Sequence, residues 1–204
     1  IASLVGSEMC IRDRNRFENI LKVLKKIIDQ GKIRYIGLSN ETPWGFSSFI
    51  KIAEKEKLPK VVSVQNPYSL INRTYEIGMS EISMRENAGL LAYSPLGIGY
   101  LTGKYRNKQI PKNSRLDLFY ENYPRYHNER TYDAVEKYYQ VAKKHNVSFS
   151  QLALAFVNSR DFVTSNIIGA TKMDQLKENI ESIDVTLNEN IISDINLVLS
   201  LIHI

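Results

Sequence analysis

At 204 residues, with 43% hydrophobic and 24% charged side chains, the chain has the balance of an ordinary globular protein with room for a sizeable core. No apolar run approaches the ~20 residues that span a bilayer, and the single cysteine, Cys10, excludes an internal disulfide, so a cytoplasmic protein with no membrane partner is expected. The net charge of +5 is spread along the chain with Asp and Glu interleaved and no basic run carrying stacking aromatics; no nucleic-acid partner is expected, while a polyanionic small molecule would suit the mild excess.

Both ends read as foreign to the rest. The stretch Ser3–Arg14 resembles translated sequencing-adapter read-through, as does Leu199–Ile204, and the chain opens on Ile1 rather than Met. Residues 1–14 are therefore set aside as a non-native leader and 199–204 as a non-native tail, leaving a domain over 15–198. Cys10 and His203 are given no function.

The first element is a helix over about 15–30, where Phe17, Ile20, Leu21, Leu24, Ile27 and Ile28 recur at the spacing of one buried helical face and Gly31 stops it. A short strand, Tyr35–Ser39, follows. Pro43 opens a helix to about Lys55 that buries Phe46, Phe49, Ile50 and Ala53, and Val61–Gln65 is a β-branched strand. A helix over about 75–86 leads into strand Leu90–Tyr93. Helices follow over about 132–144 and 150–158, then a strand Asn166–Gly169, then helices near 173–182 and 189–199.

Short buried strands alternating with amphipathic helices mean right-handed βαβ units, an α/β chain with a parallel sheet. Polar residues at successive strand ends (Ser39 and Asn40, Gln65, then Tyr93 and Ser94) suggest a barrel with its site at that face, although a doubly wound sheet has the same periodicity. Four strands cannot close an eight-stranded barrel, which takes about 250 residues, so the count favours a fragment. Between Ser94 and Arg130 no period is evident, but Tyr100, Tyr105, Tyr120, Tyr123 and Tyr126 argue against simple disorder.

Gly97-Ile-Gly99-Tyr-Leu-Thr-Gly103-Lys104 is not a Walker loop, because Ile98 and Tyr105 stand where Gly and Ser or Thr are required, and Thr102 breaks the Rossmann fingerprint. Close glycines still let backbone N–H groups approach a phosphate, with Lys104 adding charge; a flexible surface loop would look the same. Gly169-Ala-Thr-Lys172 precedes a helix whose N-terminus favours phosphate, or it is a plain turn capped by Thr171. Gln175, Glu178 and Asn179 could read an adenosine from one helical face, or simply face solvent. The amides of Asn40 and Gln65 suit a carboxamide such as that of nicotinamide, and Tyr93 offers a flat ring to a heterocycle. His127 and His145 have no companions at ligand spacing, so no metal is expected, and His145 reads as a solvated helix-end residue.

At these residues the chain resembles the aldo-keto reductase superfamily, in particular its bacterial Tas-like branch, related to the β subunits of voltage-gated potassium channels. The resemblance covers about 15–197 and rests on Gly31-Lys-Ile-Arg-Tyr-Ile-Gly-Leu-Ser-Asn40, Val64-Gln-Asn-Pro-Tyr-Ser69, Leu91-Ala-Tyr-Ser-Pro-Leu-Gly97, Leu101-Thr-Gly-Lys104, Ile168-Gly-Ala-Thr171 and Gln175-Leu-Lys-Glu-Asn179, in family order. It implies the C-terminal half of a (β/α)8 TIM barrel binding NADP(H). Ser39, Asn40 and Gln65 would hold the nicotinamide carboxamide and Tyr93 would stack on the ring. Ser94, Pro95, Leu96, Gly97, Leu101, Gly103 and Lys104 would line the pyrophosphate, with Arg115 in the loop. Gly169, Thr171, Gln175, Glu178 and Asn179 would take the adenosine and its 2′-phosphate; many relatives carry arginine at the place of Gln175, which leaves NADPH against NADH open.

The family's catalytic Asp, Tyr, Lys and His lie on the first four strands, and none maps onto this sequence. The resemblance thus implies an oxidoreductase that reduces an aldehyde or ketone only together with a missing N-terminal half-barrel. The alternatives are a redox-silent NADPH-binding regulatory subunit of the potassium-channel β type and a phosphate-binding barrel lyase or isomerase; the latter would not need the Gln65 and Tyr93 pair.

Overall fold

Apolar residues at three-and-four spacing place the first helix, α1, over Arg14–Asp29 in a computed structural model that describes residues 14–202. Residues 1–13, 203 and 204 of the suspected foreign ends lie outside the described residues. The chain divides into two units, each taken by itself: residues 14–67, 74–93 and 161–165 form the first, and 68–73, 94–160 and 166–202 the second.

In the first unit α1 buries Phe17 and Leu21 completely, and the Phe17 ring lies 4.5 Å from that of Phe49. Each such side chain removed from water stabilises the fold by about 1.5–3 kcal/mol. Strand β1 (Ile36–Ser39) leads to helix α2 (Pro43–Lys55), whose first turn is fixed by Pro43 and by Thr42, which accepts the Gly45 N–H at 3.2 Å. Phe46, Phe49, Ile50 and Ala53 are all buried, as the spacing predicts.

Strand β2 covers Val61–Pro67. The single helix expected over about 75–86 is instead a 3-10 turn, Thr74–Glu76, and a helix α3, Met79–Arg85. Gly78 separates them at φ +82, a left-handed conformation that interrupts the helical hydrogen bonding. Strands β3 (Gly89–Tyr93) and β4 (Val163–Asn166) complete one sheet of four parallel strands in the order β1-β2-β3-β4, the α/β arrangement of half a (β/α)8 barrel.

The expected strand Asn166–Gly169 is thus misplaced by three residues. The Leu90 N–H donates to Phe162 O at 2.9 Å, so pairing with β3 begins earlier in the chain than the apolar pair Ile167 and Ile168 suggests. Asn166 then turns its side chain away, donating to Asn158 Oδ1 at 2.9 Å, and the strand ends there.

The second unit contains the segment from Ser94 onward that lacks a period. It is wound into 3-10 turns (Gly97–Thr102, Arg106–Lys108, Tyr120–Asn122, Pro124–Tyr126) and a short helix, α4 (Arg115–Phe119). Its tyrosines supply the core: Tyr100 and Tyr105 are fully buried with rings 5.3 Å apart, and Tyr126 stacks 6.0 Å from Tyr100. His127 Nε2 faces the Tyr120 carbonyl at 2.7 Å, so that nitrogen carries the proton and Nδ1 accepts from the Tyr100 hydroxyl at 2.9 Å. Burial pushes the Tyr100 phenol well above its usual range, which keeps it a donor.

Helices α5 (Glu129–Lys144), α6 (Phe149–Asn158), α7 (Met173–Glu181) and α8 (Glu189–Ile202) complete this unit, with a 3-10 turn at Ser182–Asp184. His145, expected to be solvated, is only 16% exposed and bonds Asp194 Oδ2 through Nε2 at 2.7 Å. Lys144 and then His145 hold the Asp194 carboxyl below the ordinary aspartate range.

Gly89 tests the β3–β4 contact, because a Cβ there would stand 1.6 Å from Thr164 Oγ1 and 2.9 Å from Thr164 Cβ. Gly89→Ala should lower the unfolding free energy by about 1–3 kcal/mol in urea titrations, and by less in a Thr164→Ala background. Equal losses in both backgrounds would contradict this strand contact.

Candidate functional site

At the C-terminal end of the first unit's sheet, Ser39 is in register with Gln65, and Pro67 with Tyr93. The Asn40 N–H continues the ladder to Gln65 O at 3.0 Å, and Asn40 adopts φ +54. In that left-handed turn its side-chain oxygen accepts the Tyr93 hydroxyl at 2.7 Å, while its Nδ2 reaches Ser39 Oγ at 3.4 Å. Ser39, Asn40, Gln65 and Tyr93 therefore sit together as a polar rim, with Asn40 exposed and the other three half-buried. Glu41 follows them, its carboxyl pushed up by partial burial.

The second unit holds a cavity of about 860 Å3. Its wall includes Ser94, Pro95, Leu96, Lys104, Arg115, Gly169, Thr171, Gln175, Glu178 and Asn179, ten of the residues singled out in the sequence. The turn over 94–104 passes through positive φ at Ser94, Gly97, Ile98, Gly99 and Gly103, and it is closed by its own backbone bonds, Gly97 N–H to Ser94 O and Gly99 N–H to Leu96 O, both at 2.9 Å. Gly99 is required there: at φ +102 it also lets Lys104 fold over it, since a Cβ would lie 2.9 Å from Lys104 Cε. Gly97 and Leu101 are buried beneath this turn, and with Gly103 they lie off the cavity wall.

Helix α7 opens onto the same cavity without a side-chain cap at Lys172. Thr171 does not cap it; its N–H and hydroxyl both donate to Gln175 Oε1, at 3.1 and 3.2 Å. The first-turn N–H groups and the positive end of the helix dipole are thus left to an anion. Four cations line the wall, Lys104, Lys112, Arg115 and Lys172, against one carboxylate, Glu178, which accepts a hydrogen bond from the Ser148 hydroxyl. Among the described residues none of the four pairs with a carboxylate. The wall fits a polyanion. Among the described residues no His, Cys, Asp or Glu group could hold a metal ion, and no helix is long and apolar enough to cross a membrane.

Sequence reasoning passed over Lys112 and Ser148, and named Lys172 only as the end of the Gly169–Lys172 turn. The lysines carry no local signal, because isolated lysines look alike on any surface. Ser148 did offer one, as a hydroxyl residue at the start of the apolar helix α6.

The sequence model of the aldo/keto reductase family matches residues 9–199. The chain is 49% identical over 168 residues to protein tas of Escherichia coli, covering 82% of this chain and 48% of that protein. It is 40% identical to an aldo-keto reductase of Babesia bovis, covering 80% of this chain and 59% of that one. With the aldo-keto reductase yakc of Schizosaccharomyces pombe, whose name carries NADP(+), it shares 31% identity over 87% of this chain and 52% of the other. The chain spans about half the length of the curated relatives it matches.

The geometry of the 94–104 turn carries its own test. Gly99→Ala forces a side chain into a left-handed position and against Lys104, so it should destabilise the chain by about 1–3 kcal/mol in thermal melts. An unchanged melting temperature would show that the turn is not wound this way.

Proposed function

The chain belongs to the aldo/keto reductase family, and on that premise we propose that it is the cofactor-binding half of an NADP(H)-dependent carbonyl reductase. The observation that carries this reading is the cavity wall of Lys104, Lys112, Arg115 and Lys172 beside the uncapped start of α7. Such a wall suits a pyrophosphate and a further phosphate, with Gly169 leaving space where a side chain would otherwise stand. Gln175, Glu178 and Asn179 are then the groups facing the adenosine, and Glu178 is oriented by Ser148.

At the first unit's rim, Asn40, Gln65 and Ser39 offer the donors and acceptors that a nicotinamide carboxamide needs, and Tyr93 offers a ring face. The Tyr93 hydroxyl is committed to Asn40, which fixes the ring and makes Tyr93 a positioning surface rather than a proton donor. A bound reduced nicotinamide supplies hydride to the carbonyl carbon of an aldehyde or ketone. The residues of this chain bind and orient it; the proton donor belongs to the first half of the family's barrel. Gly97, Leu101 and Gly103 shape the phosphate turn from below it, since they lie off the wall.

NADPH added to the purified chain should show the fluorescence change of a bound nicotinamide, and 2′,5′-ADP should displace it. Tyr93→Ala should weaken NADPH by about 1–3 kcal/mol, the scale of lost stacking on a base. Lys104→Ala should weaken it by a margin that shrinks as salt is raised. The same preparation should not reduce 4-nitrobenzaldehyde. Absence of NADPH binding, or robust turnover by this chain alone, would overturn the proposal.

A further inference from the structure

Asn66 lies one residue beyond Gln65 and has no place in the reading above. Its side-chain oxygen accepts the Glu41 N–H at 3.1 Å, and its Nδ2 donates to the Glu41 carbonyl at 2.9 Å. An amide that accepts from and donates to one residue's backbone takes the place of a strand partner. It extends the β1–β2 ladder past the Ser39 and Gln65 pair and past the Asn40 N–H bond to Gln65 O.

Asn40 is thereby held from both sides. Ser39 is fixed in the sheet before it, and Glu41 is fixed by Asn66 after it. Between them Asn40 is confined to φ +54, a conformation that asparagine tolerates but that costs free energy unless its surroundings enforce it. Glu41 has a second anchor, because its Oε1 accepts the Thr42 N–H at 2.9 Å. It lies so close over the start of α2 that a Cβ at Gly45 would stand 2.0 Å from it. The turn after β1 is locked by the side chain of a residue 25 positions away.

The consequence falls on the Asn40 side chain. Only in this turn does its oxygen meet the Tyr93 hydroxyl, at 2.7 Å, leaving its Nδ2 with a single long contact to Ser39 and hence with donor capacity to spare. We propose that Asn66 is a positioning residue, which holds the Asn40 carboxamide against Tyr93 so that the two present a preassembled rim to a nicotinamide carboxamide. It acts through Asn40 and touches no ligand itself. This rests on the cofactor reading above.

Two ligands test the rim: NADPH, which carries a nicotinamide, and 2′,5′-ADP, which lacks it. In the 204-residue chain Asn66→Ala should weaken NADPH about tenfold, the scale of about 1.4 kcal/mol, and leave 2′,5′-ADP within about twofold. Because Asn66 acts through Asn40, Asn66→Ala added to Asn40→Ala should weaken NADPH little further. Hydrogen exchange of the ligand-free chain should quicken at Asn40–Thr42 and stay unchanged at Val61–Val64. Equal weakening of both ligands, additive losses in the double variant, or unchanged exchange at Asn40–Thr42 would each overturn the proposal. If the unaltered chain binds neither ligand, the cofactor reading fails, and the nicotinamide role of Asn66 falls with it. A chain that binds both ligands but gives a silent Asn66→Ala removes the proposal alone.

Discussion

Lys104, Lys112, Arg115 and Lys172 face one cavity with a single carboxylate among its lining residues, and that carboxylate is already engaged by Ser148. Arg106 is handled differently: it is clamped in a two-point bond to Glu136 at 2.8 and 3.0 Å and lies 3.4 Å over the Tyr139 ring. Gathering like charges without neutralising them works against the folded state, and the uncapped start of α7 adds further positive potential at the same place. An anion relieves both. Much of the second unit can be understood as the frame for this feature, with buried tyrosines in place of regular structure holding the 94–130 segment in turns that bring Lys104, Lys112 and Arg115 to the wall.

The first unit answers a different demand. A carboxamide is recognised by groups that donate and accept in fixed directions, and flexible side chains on a turn would lose that direction. Asn40 is given it by a left-handed backbone, by the Tyr93 hydroxyl and by a neighbouring residue locked to Asn66. Strain at a turn persists only where its surroundings over-determine it, and here two side chains do so, Tyr93 with one hydrogen bond and Asn66 with two.

Helix α2 was legible from Pro43 and the spacing of Phe46, Phe49, Ile50 and Ala53, because a first-turn proline and a helical period are local properties of the chain. The parallel direction of the strands followed from the alternation of elements, but their sequential order did not, since a doubly wound sheet has the same periodicity. Strand β4 was misplaced because its pairing partner, not its own apolar content, decides where it begins, and Ile167 and Ile168 belong to the cavity wall instead. The break at Gly78 and the 3-10 turns after Ser94 leave no period to read. Of the site, the residues that announce themselves by type at strand ends were visible. Lys112, which matters only through where the fold carries it, was not, and neither was the role of Asn66, whose partner is 25 residues away.

The most direct measurement is hydrogen exchange of the chain with and without saturating NADP+, read residue by residue. If the second unit's cavity holds the phosphates of the dinucleotide, exchange should slow over residues 94–104 and 169–176 and stay unchanged along α8. Saturation with no protection at the start of α7 or in the 94–104 turn would contradict the central claim.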